Sequence, residues 1–187
     1  MSELAAPAKL NLALAVGPRR PDGRHEVATV LQRVGLADTV RLEEAETLSV
    51  EGFEEDTLVR AALVALAGAA GVEPRWRAFV EKRIPVAAGL GGGSSDAAAA
   101  LLLANESLGR PLAEPALHEL AARLGADVPF FLATGPQLGE GDGTSLSPLD
   151  LPQDYWVLLV MPRETRKPST AAVYDEFDRR RGEEGFP

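Results

Sequence analysis

Apolar and polar residues alternate with a period of two in "AKLNLALAV", so that Leu10, Leu12, Leu14 and Val16 share one strand face and Lys9, Asn11, Ala13 and Ala15 the other. "GPRRPDGRHE" follows with Pro-Asp-Gly turn chemistry and leads to a second predicted strand near 27–34. "DTVRLEEAETLSVEG" reads as two short strands with Glu43, Glu44 and Glu46 in a solvated turn between them. The period then changes. "TLVRAALVALAGAA" predicts a helix over Thr57–Ala70, capped by Asp56 or Thr57 and ended by Gly71. In "RWRAFVEKRIP" the residues Trp76, Ala78, Val80 and Lys82 alternate against Arg77, Phe79, Glu81 and Arg83, which marks another strand. Helices are expected over 96–108, ending at Gly109, and over 114–124. "YWVLLVMP" predicts a buried strand closed by Pro162, and "STAAVYDEFDRRR" a capped helix whose Arg179–Arg181 suit its C-terminal dipole. This order of elements predicts an α+β fold with strands and helices packed in layers.

The stretch "GLGGGSSDAAAALLL" (Gly89–Leu103) breaks that regular patterning with four glycines ahead of an alanine-leucine helix. Glycine lets backbone adopt positive φ and approach a ligand closely. A helix N-terminus directly afterwards supplies unpaired N–H groups and the positive end of a dipole, so the combination predicts a phosphate cradle. It is not a GxxxxGKS/T loop, because Gly93 rather than lysine precedes Ser94. Nor is it a dinucleotide fingerprint, since Ser94 stands where the third glycine belongs, and "GGSSDA" does not fit a G-x-S-x-G nucleophile elbow. The helix over 97–104 is apolar all round and is expected to be buried, leaving its N-terminal end as the working part. The bland alternative is a flexible turn with Ser95 as helix cap, but a cap needs one glycine rather than four.

Composition narrows the chemistry. The 187 residues are 45% hydrophobic and 25% charged, as in a globular domain. With no cysteine and only His25 and His118 as imidazoles, disulfide, thiolate and zinc chemistry are disfavoured. The net charge of −9 argues against a nucleic-acid partner, while local backbone amides still permit a small anionic substrate. No basic leader and no membrane-length apolar window is present, so no membrane partner and a cytoplasmic location are expected. Lys9 alone would be an ordinary edge-strand lysine, Asp127 a turn or cap aspartate, and His25 a surface histidine.

Together, however, "PAKLNL" (Pro7–Leu12), "PDGRHE" (Pro21–Glu26), "KRIPVAAGLGGGSSDAA" (Lys82–Ala98) and "LGADVPFF" (Leu124–Phe131) resemble the ordered motifs of the GHMP small-molecule kinases over nearly the whole chain. Within that superfamily they resemble the branch acting on a cytidine diphosphate-linked methylerythritol. The resemblance implies a GHMP N-terminal domain over 1–150, with a mixed sheet covered by helices, and the start of a second, incomplete α/β domain over 151–187. It implies that Pro85, Val86, Ala87, Ala88, Gly89, Leu90, Gly91, Gly92, Gly93, Ser94 and Ser95 wrap the phosphates of ATP. Asp127 would be the general base and Lys9 its partner. Asn11, His25, Thr170 and Tyr174 would meet the substrate, with an aromatic ring stacking on cytosine. Mg²⁺ is expected with ATP, its protein ligands unassigned. Two departures stand out: Arg24 replaces the family's tyrosine in the Asp-Gly-x-His motif, and the sequence stops at Pro187, where the family continues into a second domain with a further glycine-rich motif. The alternatives are another kinase of the superfamily, or a nucleotide-binding module with little catalysis.

Overall fold

The structure, a computed structural model, describes residues 1–53, 57–160, 170–183 and 186. Of the side chains of Thr57, Thr170 and Ala171 nothing is described. The chain forms two compact units, residues 1–10 with 33–134 and residues 11–32 with 135–187. Two long strands, β1 (Ser2–Arg19) and β2 (His25–Glu44), are paired with each other and contribute residues to both units.

In the first unit, β2 pairs antiparallel with β4 (Trp76–Glu81), in a register that sets Thr39 opposite Glu81 and Glu44 opposite Trp76. The short β3 (Ser49–Glu51) runs parallel to β4, so this sheet is mixed. Three helices complete the unit: α1 (Thr57–Ala70), α2 (Gly92–Ser107) and α3 (Glu114–Leu124), with a 3-10 turn at Pro129–Phe131. Alternation decides which strand face is covered: Trp76, Ala78 and Val80 are buried while Arg77 and Phe79 face solvent. Val59, Ala62, Leu63 and Leu66 of α1 and Ala97–Leu101 of α2 are buried too, and alanine along both helices permits close approach. Each buried leucine contributes about 1.5–3 kcal/mol relative to exposure.

In the second unit, residues 27–31 of β2 pair antiparallel with β5 (Gln137–Gly141), Val27 facing Gly141 and Leu31 facing Gln137. β5 turns back into β6 (Ser145–Pro148). Gly141 and Gly143, at φ 70 and 94, make that turn, and Asp142 accepts hydrogen bonds from the Thr144 amide (3.2 Å) and hydroxyl (2.6 Å). The last helix is α4 (Thr170–Arg179).

Three expectations are corrected. The strand near 27–34 and the first strand of the acidic segment are one continuous β2, because β5 and β4 supply ladder partners to its two halves; Glu43 and Glu44 close that strand and only Glu46 lies in the bend. Helix α2 starts at Gly92, four residues before the predicted position, since glycine and serine here accept helical backbone. Residues 155–160 form no strand and are exposed, Trp156 fully so; a strand needs a ladder partner, and none pairs with them among the described residues. Pro162, the side chains of Asp56 and Thr57, and the first residue of "STAAVYDEFDRRR", Ser169, fall outside what is described. The helix over 114–124 and the glycine stop at Gly71 are as expected.

Gly52 shows how tightly the first unit is closed: at φ +84, a Cβ there would stand 2.4 Å from the carbonyl oxygen of Val80. Gly52→Ala is expected to lower stability by about 1–3 kcal/mol, read as an earlier urea midpoint; an unchanged midpoint would contradict the packing described.

Candidate active site

The chain leaves β4 at Glu81 and reaches α2 through an irregular loop of residues 82–91. Left-handed backbone occurs three times in it, at Ala87 (φ 59), Gly89 (φ 79) and Gly91 (φ 71). For alanine that conformation is strained, and such strain concentrates at ligand-binding turns. A Cβ on Gly91 would lie 2.9 Å from Cγ of Lys9 and 3.0 Å from Cζ of Phe131, so this position excludes a side chain twice over. A Cβ on Gly89 or Gly93 would meet nothing within 4 Å. The loop is also held by backbone, the Lys9 N–H donating to the Leu90 carbonyl at 2.9 Å.

Gly91 is the N-cap of α2, and no side chain caps the helix. Helical bonding begins where the Ser95 N–H donates to the Gly91 carbonyl at 2.9 Å, so the amides of Gly92, Gly93 and Ser94 precede the first intrahelical bond. Ser95 is therefore inside the first turn rather than its cap, and its hydroxyl oxygen is buried with no partner among the described residues. Uncapped amides, open space above Gly89 and Gly93, and an unpartnered hydroxyl suit a multivalent anion.

Lys9 is not a surface lysine. Its side chain is 8% exposed, and its Nζ lies 3.3 Å from Oδ2 of Asp127, which is 41% exposed. Asp127 follows α3 in a tight turn, closed by the Val128 N–H donating to the Gly125 carbonyl at 3.2 Å. Predicted base, predicted lysine and glycine loop thus belong to one unit, joined through Lys9.

The sequence reading overlooked a buried ionic cluster under this loop. Lys82 Nζ stands 2.6 Å from Oδ2 of Asp38 and 2.6 Å from Oδ2 of Asp96, both carboxylates being fully buried. Asp38 also accepts the backbone N–H groups of Arg83 and Ile84. One ammonium thereby ties the entrance of the loop, at residues 82–84, to its exit helix at Asp96. A Cβ on Gly92 would come 3.2 Å from that Nζ. Burial alone would lower the Lys82 pKa, but hydrogen bonds and charge from Asp38 and Asp96 outweigh it and raise the pKa. The available signal was the strand alternation, which already set Lys82 on the same face as the buried Trp76, Ala78 and Val80.

The remaining predicted residues lie in the second unit. His25 is buried, with Nε2 2.6 Å from Oδ1 of Asp178, the ring stacked on Tyr174 at 4.6 Å and edge-on to Phe177 at 5.9 Å. Asn11 donates to the Thr29 hydroxyl at 2.7 Å, which in turn donates to the Ala13 carbonyl at 2.8 Å. Arg24 is ion-paired with Asp142. The side chain of Thr170 is outside the described residues.

The model of the GHMP kinases N-terminal domain matches residues 57–135, which include α1, β4, the glycine loop, α2, α3 and Asp127. This chain carries a GHMP kinase N-terminal domain. It is 42% identical to a 4-diphosphocytidyl-2-C-methyl-D-erythritol kinase of Salinispora tropica over 184 residues, covering 94% of this chain and 58% of the relative. It is 44% identical to the Nocardia farcinica protein of the same name over 192 residues, covering 97% and 61%. A crystal structure of 4-(cytidine 5'-diphospho)-2C-methyl-D-erythritol kinase superposes with a TM-score of 0.71 at 42% identity, covering 81% of this chain and 56% of that one. The chain thus spans about three fifths of the length of the curated relatives it matches.

In this GHMP domain the Lys82 cluster has a measurable consequence. Lys82→Met leaves two buried carboxylates without their cation and is expected to cost about 3–5 kcal/mol of unfolding free energy. Because the folded pKa of Lys82 is raised, its stabilisation is fully present below the ordinary lysine pKa and is lost as pH rises from there through the folded value. Urea unfolding should therefore show the same wild-type advantage from about pH 7 to pH 9; an advantage that disappears by about pH 9 would contradict the raised pKa.

Proposed function

We propose that this chain belongs to an ATP-dependent kinase that phosphorylates the 2-hydroxyl of 4-diphosphocytidyl-2-C-methyl-D-erythritol, a step of non-mevalonate isoprenoid precursor synthesis in the cytoplasm. The observation that carries the proposal is the Lys9–Asp127 pair, 3.3 Å apart, whose lysine side chain packs against Gly91 of the glycine loop. The names of the relatives support the substrate class.

ATP supplies the phosphoryl group when bound. In this reading the amides at the start of α2 and the loop over 85–95 hold its phosphates, where backbone donors and the helix dipole are already oriented. Asp127 accepts the proton of the substrate hydroxyl as that oxygen bonds to the γ-phosphorus and the bond to the bridging oxygen of ADP breaks. Lys9 places positive charge beside both the carboxylate and the transferring group. Among the described residues no three His, Cys, Asp or Glu side chains converge as a metal cage. The Ser95 hydroxyl, buried and unpartnered at the start of α2, would be the chain's own oxygen for a Mg²⁺ that accompanies ATP and would neutralise charge on its phosphates.

The substrate side of the proposal takes the rings of His25 and Tyr174, which stack on each other at 4.6 Å, as candidates to meet the cytosine. Asn11 and Thr170 are assigned to the substrate as well, without a stacking role. Arg24 stands where the family has tyrosine; its guanidinium is paired with Asp142 through an edge, and its planar faces can still stack on a base.

ADP release, measured with and without the cytidine-linked alcohol, tests the proposal. Asp127→Asn is expected to lower kcat about 10²–10⁴-fold with the KM for ATP little changed. A variant as active as wild type would overturn the base assignment, and equal turnover of alcohols lacking cytidine would point to another kinase of the superfamily. ATP binding without any turnover would favour the nucleotide-binding module.

A further inference from the structure

Arg33 lies on β2, ninety-four positions before the proposed base in sequence (127 − 33), and no motif includes it. Its Nη2 donates to three backbone carbonyls, those of Phe130 (3.2 Å), Phe131 (2.8 Å) and Ala133 (2.5 Å). These carbonyls sit at the end of the 3-10 turn over Pro129–Phe131, which begins two residues after Asp127. The turn's own N–H groups bond elsewhere: Phe131 to the Val128 carbonyl, and Leu132 and Ala133 to that of Pro129. The carbonyl ends are thus left to the guanidinium, which also stands 5.6 Å from the centroid of the Phe130 ring. Burial lowers the pKa of Arg33, yet a guanidinium remains charged throughout the physiological range, so these are charge-assisted bonds.

We propose that Arg33 is the positioning residue of the catalytic base, holding the Asp127–Ala133 segment so that Asp127 meets Lys9 while Phe131 seats the glycine loop. The Phe131 ring is the link between base and loop, since a Cβ on Gly91 would come 3.0 Å from its Cζ. Phe131 in turn packs edge-on against Phe130 at 5.1 Å, under the same guanidinium. A shift of this short turn therefore moves the carboxylate and the wall of the phosphate site together. The role in catalysis rests on the kinase reading above; the anchoring of the turn does not.

Two variants test it. Arg33→Met keeps an apolar stem and removes every donor, whereas Arg33→Lys keeps a charged donor for the carbonyls. In Arg33→Met, amide hydrogen exchange at Val128, Phe131 and Leu132 should quicken about tenfold or more relative to the rest of the domain. Its kcat should fall about 10–100-fold, and the KM for ATP should rise by a smaller factor, because Phe131 walls the phosphate site while the backbone amides that bind phosphate stay in place. Arg33→Lys should recover most of both losses. Unchanged exchange at these three amides, or full kcat in folded Arg33→Met, would overturn the proposal; so would a uniform rise in exchange with kcat per folded molecule intact, the signature of a merely stabilising residue. If wild type itself shows no substrate-dependent turnover, the kinase reading falls, and the exchange pattern alone decides whether Arg33 anchors the turn.

Discussion

The side chain of Lys9 occupies the space that any Cβ on Gly91 would need, and the candidate site depends on that exclusion. Through it, strand β1, the glycine loop and the Asp127 turn meet at one point. The same lysine supplies backbone and side chain to the junction: its N–H fixes Leu90 and its ammonium faces Asp127. With glycine at 91, helix α2 begins uncapped by any side chain, which leaves its first amides as the donors of the site. A larger residue would have to displace either Lys9 or Phe131, and each displacement would open the site from a different side.

Placing charge in a protein interior is costly, so the arrangement needs compensation nearby. Breaking a buried pair by removing one partner costs more than the pair contributes as a whole. Lys82, Asp38 and Asp96 are therefore better understood as a geometric constraint than as a source of stability. They hold both ends of a loop that contains a left-handed alanine, a conformation tolerated only where its surroundings over-determine it. Arg33 applies the same physics to the other wall, using carbonyl dipoles in place of carboxylates.

Much of the first unit was legible from local pattern. The helix bounds at Thr57–Ala70 and Glu114–Leu124 followed from periodicity and stop signals, and the strand at Trp76–Glu81 from alternation. Lys9, Asp127 and the glycine loop were legible as a set only through the motifs they share with known kinases. Other features were hidden because their partners are distant in sequence: Asp38 meets Lys82 across 44 positions, and Arg33 meets Phe131 across 98. Apolar composition also misled where pairing decides structure, as in residues 155–160, whose strand-like pattern has no ladder partner among the described residues. Likewise the start of α2 is masked in the sequence because glycine and serine are weak helix formers, yet here they occupy the first turn.

In the proposed kinase the open space over the start of α2 is kept for phosphate. Gly93 tests it most directly, since it is helical and a Cβ there meets nothing within 4 Å. Replacing it with alanine should leave the ligand-free domain as stable as wild type or more so, by up to about 1 kcal/mol. Calorimetric titration of ATP into wild type and Gly93→Ala is the decisive measurement. ATP is expected to bind wild type, and the variant, though equally well folded, to lose about tenfold or more of that affinity. Equal affinity in the two proteins, or no binding to either, would contradict it.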